Sequence, residues 1–195
     1  MKESSGPNLH LALVHHPVTN KNGDVIASAV TNLDLHDIAR AARTSGVNSL
    51  YVVTPIEDQI TLVDQLITHW ISGAGAAYNP KRRQALELIR VKRTLEEVIA
   101  DIKSMPGSCG RPRTVVTSAV AKRTTVSFSN LRRRLCDGFP YLLVFGTAWG
   151  LAETIISSAD FALEPVTGTT KYNHLSVRSA AAIVLDRLLS RRETV

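Results

Sequence analysis

Leu142 to Leu189 reads LLVFGTAWGLAETIISSADFALEPVTGTTKYNHLSVRSAAAIVLDRLL, and the order of its patterns decides the fold. An apolar strand runs into a Gly-bounded loop and a short helix. A second apolar strand, a polar loop carrying Gly168 and a long amphipathic helix follow. Loops that leave neighbouring parallel strands at their carboxyl ends gather unpaired backbone N–H and C=O groups around one crevice, where a nucleotide-like ligand can use them. A cofactor pocket is the first expectation.

Outward from that stretch the same alternation continues. Strand-like runs rich in Val, Leu and Ile occur at Leu9–His15, Ser49–Val53, Leu86–Val91, Thr114–Ser118, Tyr141–Gly146 and Phe161–Val166. Helical spacing lies between them, in Leu35, Ile38, Ala39 and Ala42, in Leu62, Leu66 and Ile67, and in Leu95, Val98, Ile99 and Ile102. Asp34 with Asp37 and Thr94 with Glu97 read as helix starts, and Ser176 opens the last helix. The fold class expected is α/β, with six mainly parallel strands and helices on both faces. The long connection from Pro17 to Leu33 is of a length that is usually functional or mobile. Gly73-Ala74-Gly75 reads as a flexible linker.

A chain of 195 residues buries a core without staples, and residues 1–195 are expected to form one domain, with residues 1–8 disordered. Cys109 and Cys136 share no metal or redox spacing, so both are expected as free thiols and no metal is expected. No apolar run has the length of a membrane span, and MKESSGPN has no apolar segment of a secretory leader, which predicts a cytoplasmic protein without membrane attachment. The net charge of +6 favours an anionic partner such as nucleic acid.

Several nucleotide and hydrolase motifs are absent. His15-His16-Pro17 stands where a GxGxxG would follow the first strand, and neither GxxxxGK[ST] nor GxSxG occurs. The positive signal is the joint occurrence of Gly146-Thr147-Ala148-Trp149-Gly150-Leu151, Leu163-Glu164-Pro165-Val166-Thr167-Gly168 and Tyr172-Asn173-His174-Leu175-Ser176-Val177-Arg178-Ser179-Ala180 at consecutive strand ends and the helix start. Together these resemble the cofactor-binding half of the SPOUT class of S-adenosylmethionine-dependent RNA methyltransferases. Asp34-Leu35-His36-Asp37-Ile38-Ala39-Arg40 resembles the first motif of its SpoU-like branch, and Thr117-Ser118-Ala119 a segment lining the pocket.

The resemblance implies a C-terminal trefoil knot, a homodimer, an RNA substrate (tRNA or rRNA) and S-adenosylmethionine as cofactor. It places Thr117, Ser118, Ala119, Phe145, Gly146, Thr147, Trp149, Gly150, Leu151, Leu163, Glu164, Pro165, Gly168, Tyr172, Asn173, His174, Leu175 and Ser176 around the cofactor. Arg40 would organise the acceptor, one subunit's Arg40 region facing the other's knot. Asp34 is either a general base or a helix cap. The clusters Lys81-Arg82-Arg83 and Arg132-Arg133-Arg134 would meet RNA phosphates, with Lys81, Arg82, Arg83, Arg132 and Arg133 as contacts, although surface charge alone reads the same way. With aromatics at 5% no base-stacking platform is indicated.

The sequence departs from the ribose-methylating pattern, with Ala148 and Trp149 where an acidic residue is usual and Asp34 where asparagine is usual. Base or ribose methylation therefore both stay open. Two other readings remain: a non-catalytic module that binds RNA or cofactor, and a nucleotide enzyme on an unknotted doubly wound sheet.

Overall fold

The structure is a computed structural model that describes residues 6–120 and 125–190. Its centre is one seven-stranded sheet in which every paired strand is parallel. In chain order the strands are β1 (Leu9–Val14), β4 (Ser49–Val53), β5 (Ile89–Lys92), β6 (Arg113–Val116), β7 (Thr125–Val126), β8 (Tyr141–Gly146) and β9 (Phe161–Leu163). β2 (Val18–Thr19) and β3 (Val25–Ile26) form a separate antiparallel hairpin. The order across the sheet is β5-β4-β1-β8-β6-β9-β7. β1 and β8 are central, with Val14 in register with Gly146 on one side and Val53 on the other.

Side-chain alternation along these strands divides the core in two. Leu9, Leu11, Leu13, Leu50, Val52, Leu143 and Phe145 face one cluster. It is covered by α1 (Asn32–Thr44), α4 (Pro80–Leu86), α6 (Phe128–Arg134) and α8 (Val177–Leu189). Ala12, Val14, Tyr51, Val53, Leu142 and Val144 face the other, beneath α5 (Leu95–Ser104) and α7 (Glu153–Ser158). Both faces are buried, which is why the strands read as continuous apolar runs rather than as alternation.

Helix boundaries follow their caps. Thr94 caps α5 by accepting from Glu97 N, and Ser176 caps α8 by accepting from Ser179 N. In α1 the cap is Thr31 and not Asp34: Thr31 Oγ1 accepts from Asp34 N at 3.2 Å and donates to Asp34 Oδ2 at 2.6 Å. Asp34 is thus the third helical residue, in the acidic place of a capping box.

Further expectations change. The sixfold strand count misses β7, a two-residue strand too short to carry a periodic signal. Leu86 belongs to α4, so β5 starts at Ile89, and β9 stops at Leu163 ahead of Pro165. In α2 (Glu57–Ile71) Val63 is the buried residue, whereas Leu62 is half exposed. Gly73 and Gly75 are not a flexible linker: Gly73 caps α3 (Ala74–Tyr78), and a Cβ on Gly75 would lie 2.6 Å from the Trp70 ring. Close packing, not freedom, requires that glycine.

Of residues 1–8, expected to be disordered, 1–5 lie outside the described residues. Asn8 is tied in, its carbonyl accepting from Tyr141 N at 2.8 Å and its side chain from Asn48 Nδ2 at 3.0 Å. Cys109 and Cys136 are exposed free thiols. No helix among the described residues is long and apolar enough to cross a membrane.

Candidate active site

The site grows from the carboxyl end of β8. The chain must turn back on itself between Gly146 and Leu151, and a Cβ on Gly146 would sit 2.6 Å from Leu151 N. Gly150 has φ +112°, a conformation side chains rarely adopt. Ala148, between them, sits at φ +52°. A non-glycine residue held there costs of order 1 kcal/mol, which the surrounding bonds must offset.

Those bonds come from the long connection after β1. Trp149 N donates to Thr19 O at 3.1 Å, Thr19 N to Gly150 O at 2.9 Å, and Ala152 N to Pro17 O at 3.2 Å. Val18 bridges Leu151 as well. The connection is therefore a wall of the site, its hairpin zipped to the glycine loop. Behind it, Thr147 Oγ1 donates to Val14 O at 3.0 Å and lies 2.5 Å from Ser28 Oγ, which in turn meets His15 Nδ1 at 3.2 Å. Burial lowers the His15 pKa to about 4, against a partial opposing pull from the Asp34 charge, so the imidazole is neutral.

The opposite wall comes from β6, β9 and the approach to α8. Thr117 Oγ1 donates to Val144 O at 3.0 Å, and Asn173 Nδ2 donates to Ala119 O at 2.7 Å. Glu164 Oε1 accepts from Phe128 N at 2.6 Å and so holds the start of α6.

Together these walls enclose a cleft of about 1070 Å³. Ligand pockets are typically of this size, with apolar walls and a few convergent polar groups. Phe145, Leu163, Val166, Leu175 and Val184 supply apolar surface, and Thr117, Ser118, Thr147, Glu164 and Ser176 supply donors and acceptors. A nucleoside with a flat ring and hydroxyls fits that chemistry.

Asp34 and Arg178 stand in the same cleft. Arg178 Nη1 lies 2.7 Å from Asp34 Oδ1, and its Nε lies 3.6 Å from Asp37 Oδ2. Asp34 is only 6% exposed, and both of its oxygens are engaged, one by Arg178 and one by Thr31.

The expected residues divide as follows. Thr117, Ser118, Ala119, Phe145, Gly146, Thr147, Trp149, Gly150, Leu151, Leu163, Glu164, Asn173, His174, Leu175 and Ser176 line the cleft. Pro165, Gly168 and Tyr172 do not. Tyr172 is exposed, edge-on to His174. Arg40 lies outside the cleft, on a groove of about 570 Å³ shared with His36, Trp70 and Arg82.

The basic residues are partly engaged elsewhere. Arg82 stacks 4.6 Å from the Trp70 ring centre and Arg83 pairs with Glu87 at 2.9 Å, while Lys81 is exposed. Arg132 donates to Arg187 O, Arg133 to Asn130 Oδ1, and Arg134 covers the Phe161 ring.

Sequence reasoning missed Thr19, Ser28, Ala29 and Thr31 from the hairpin connection, Glu153 and Ile156 from α7, and Arg178. The unusual length of residues 17–33 was the available signal for the first group. Arg178 lies within the Tyr172–Ala180 segment that opens α8, but off its apolar face it reads as a solvated charge, and nothing local pairs it with Asp34.

A family model for SAM-dependent RNA methyltransferases matches residues 8–190. A tRNA (guanine-N(1)-)-methyltransferase of Oleidesulfovibrio alaskensis is 47% identical over 188 residues, 96% of this chain, yet the chain spans only 43% of that relative's length. An uncharacterized protein of Aquifex aeolicus is 42% identical over 185 residues, 94% of this chain and 89% of its own length. Among solved structures, the SpoU methyltransferase AviRb from Streptomyces viridochromogenes in complex with AdoMet has a TM-score of 0.56 at 15% identity. That match covers 94% of this chain and 57% of the other, and it is a likeness of fold.

Proposed function

We propose that this chain, which belongs to the family of SAM-dependent RNA methyltransferases, moves a methyl group from S-adenosylmethionine to RNA in the cleft beyond β8, acting as one domain over its length. The observation that carries this reading is the cleft itself. Three loops from β6, β8 and β9 converge on it, and a buried carboxylate stands at its edge.

Residues 145–148, 150–151, 117–119, 163–164 and 173–176 would hold the cofactor, with the Trp149 side chain outside that set. Bound there, S-adenosylmethionine supplies a methyl group already activated by the sulfonium. The protein's work is then to align the acceptor atom and take up its proton. Asp34 is the base in this reading. Thr31 and Arg178 hold its carboxylate in one orientation, in which it would take up the proton the acceptor loses and pass it on to water.

Arg40, exposed and outside the cleft of its own chain, would act in the cleft of a second copy and so make the active unit a homodimer. The lysine and arginines at 81–83 and 132–133 would hold RNA phosphates. We also read the segment before α8 as threaded through the loop after β6. The Asn173 to Ala119 hydrogen bond and the place of β7 outside β9 support that path.

The acceptor is tRNA or rRNA. Asp34 in place of asparagine suits removal of a proton from a base ring nitrogen, and the Oleidesulfovibrio relative's name makes tRNA guanine the first acceptor to test. The second reading is a binding module without transfer, favoured by the full engagement of both Asp34 oxygens.

Calorimetry with S-adenosylmethionine, followed by transfer of a radiolabelled methyl group to RNA from cells lacking this protein, tests both. Binding with transfer supports the enzyme, and binding without transfer supports the module. Absence of cofactor binding removes the enzyme and leaves the module only as a binder of RNA.

A further inference from the structure

Tryptophan is highly buried on average, yet Trp149 leaves 68% of its surface in solvent, in the middle of the cleft's glycine loop. Its backbone is not loose. Trp149 N donates to Thr19 O, and the neighbouring Gly150 is held through both its N–H and its carbonyl. The left-handed Ala148 turns the chain just before it. The fold thus fixes the backbone from which a large, mostly exposed ring projects at the cleft. Trp70, the protein's other tryptophan, differs: it carries Arg82 on its ring and has His36 and His69 at its edge.

An exposed indole on an anchored backbone beside a nucleoside-sized cleft has a flat apolar face whose hydration is released when another flat ring covers it. Such stacking is tolerant of base identity, since every base has a π-face. We propose that Trp149 is the stacking face for the nucleobase of the RNA acceptor, holding it over the cleft mouth while the donor occupies the interior. This assignment rests on the methyl-transfer reading. The low aromatic content is no obstacle, because one correctly placed ring serves one base. The net charge of +6 brings the RNA near, and the indole then selects a base drawn out of its stack.

The test combines kinetics with fluorescence, using total small RNA from cells lacking this protein as the acceptor. Trp149→Ala should raise KM for that RNA roughly tenfold or more, leave the dissociation constant of S-adenosylmethionine unchanged, and be largely rescued by Trp149→Phe. In a Trp70→Phe background Trp149 is the sole tryptophan, and the same RNA should quench its emission. Wild-type transfer with no change of KM in Trp149→Ala overturns the stacking role alone. Parallel loss of donor affinity overturns it too, by making the indole a cover for the donor. Conversion of a dimer to a monomer in sedimentation by Trp149→Ala would assign the ring to a second copy instead. If the wild-type protein transfers no methyl group, the functional reading falls, and this assignment with it.

Discussion

Arg178 Nη1 on the last helix stands 2.7 Å from Asp34 Oδ1 on the first, joining residues 144 positions apart at the edge of one cleft. The carboxylate is nearly buried while the guanidinium side chain keeps 34% of its surface exposed, so the arginine is the solvent-facing half of the pair. Arg178→Ala leaves Asp34 with Thr31 alone as a side-chain partner. It should cost about 1–3 kcal/mol of stability, the range for stranding a buried polar group. Asp34→Asn should cost less and lower the rate of methyl transfer by about a hundredfold or more, as removal of a general base does. Urea denaturation and single-turnover transfer measure the two effects, and an Asp34→Asn protein with full activity would remove Asp34 from the chemistry.

Acid should weaken the fold through two buried histidines. Burial lowers both His10 and His15 from 6.5 to about 4. The unfolded chain therefore takes up protons first, so stability is flat above pH 6.5 and falls as the pH drops from there toward 4. The loss is roughly 3 kcal/mol per histidine at most. Urea midpoints between pH 7 and pH 4 follow it, and His15→Asn should make the slope shallower. Equal slopes in the two proteins would contradict the assignment.

Gly146→Ala should harm the cleft more than any other loop glycine change. The added methyl meets a backbone nitrogen that cannot rotate away, whereas a Cβ on Gly150 meets nothing and suffers only from its φ. Loss of S-adenosylmethionine affinity should exceed tenfold, with a stability cost of about 1–3 kcal/mol. Calorimetry resolves the comparison, and wild-type affinity in Gly146→Ala would show that the loop has room to shift.

Arg40→Ala should reduce methyl transfer far more than cofactor affinity, since Arg40 lies outside the cleft that would hold the donor. If two copies share each site, mixing Arg40→Ala with Gly146→Ala should restore activity through hybrid dimers. Equal loss of transfer and cofactor affinity in Arg40→Ala, or no recovery on mixing, argues against a role across the interface.

RNA binding should weaken steeply with salt, because phosphate contacts release counterions. Lys81 is exposed and Arg83 shares its charge with Glu87, so charge reversal at 81 should lower affinity more than reversal at 83. Filter binding at two salt concentrations checks this, and salt-independent binding would exclude phosphate contact as the main attraction.

Sequence by itself determined the α/β alternation, most helix faces and the segments that form the glycine loop and the approach to α8. These are local properties: Leu35, Ile38, Ala39 and Ala42 lie on one side of α1 whatever surrounds it, and all four are buried. Gly146 and Gly150 were legible for the same reason, since a tight turn demands them within a few residues. Tertiary structure alone decided that Thr31 rather than Asp34 caps α1, that residues 17–31 wall the cleft, and that Arg178 reaches Asp34. It also decided that Arg40 lies outside its own chain's cleft. Such pairings join groups far apart in the chain, and no periodicity records them. They exist only because the parallel sheet brings the ends of β1, β6, β8 and β9 to one edge, where side chains without a local partner find each other.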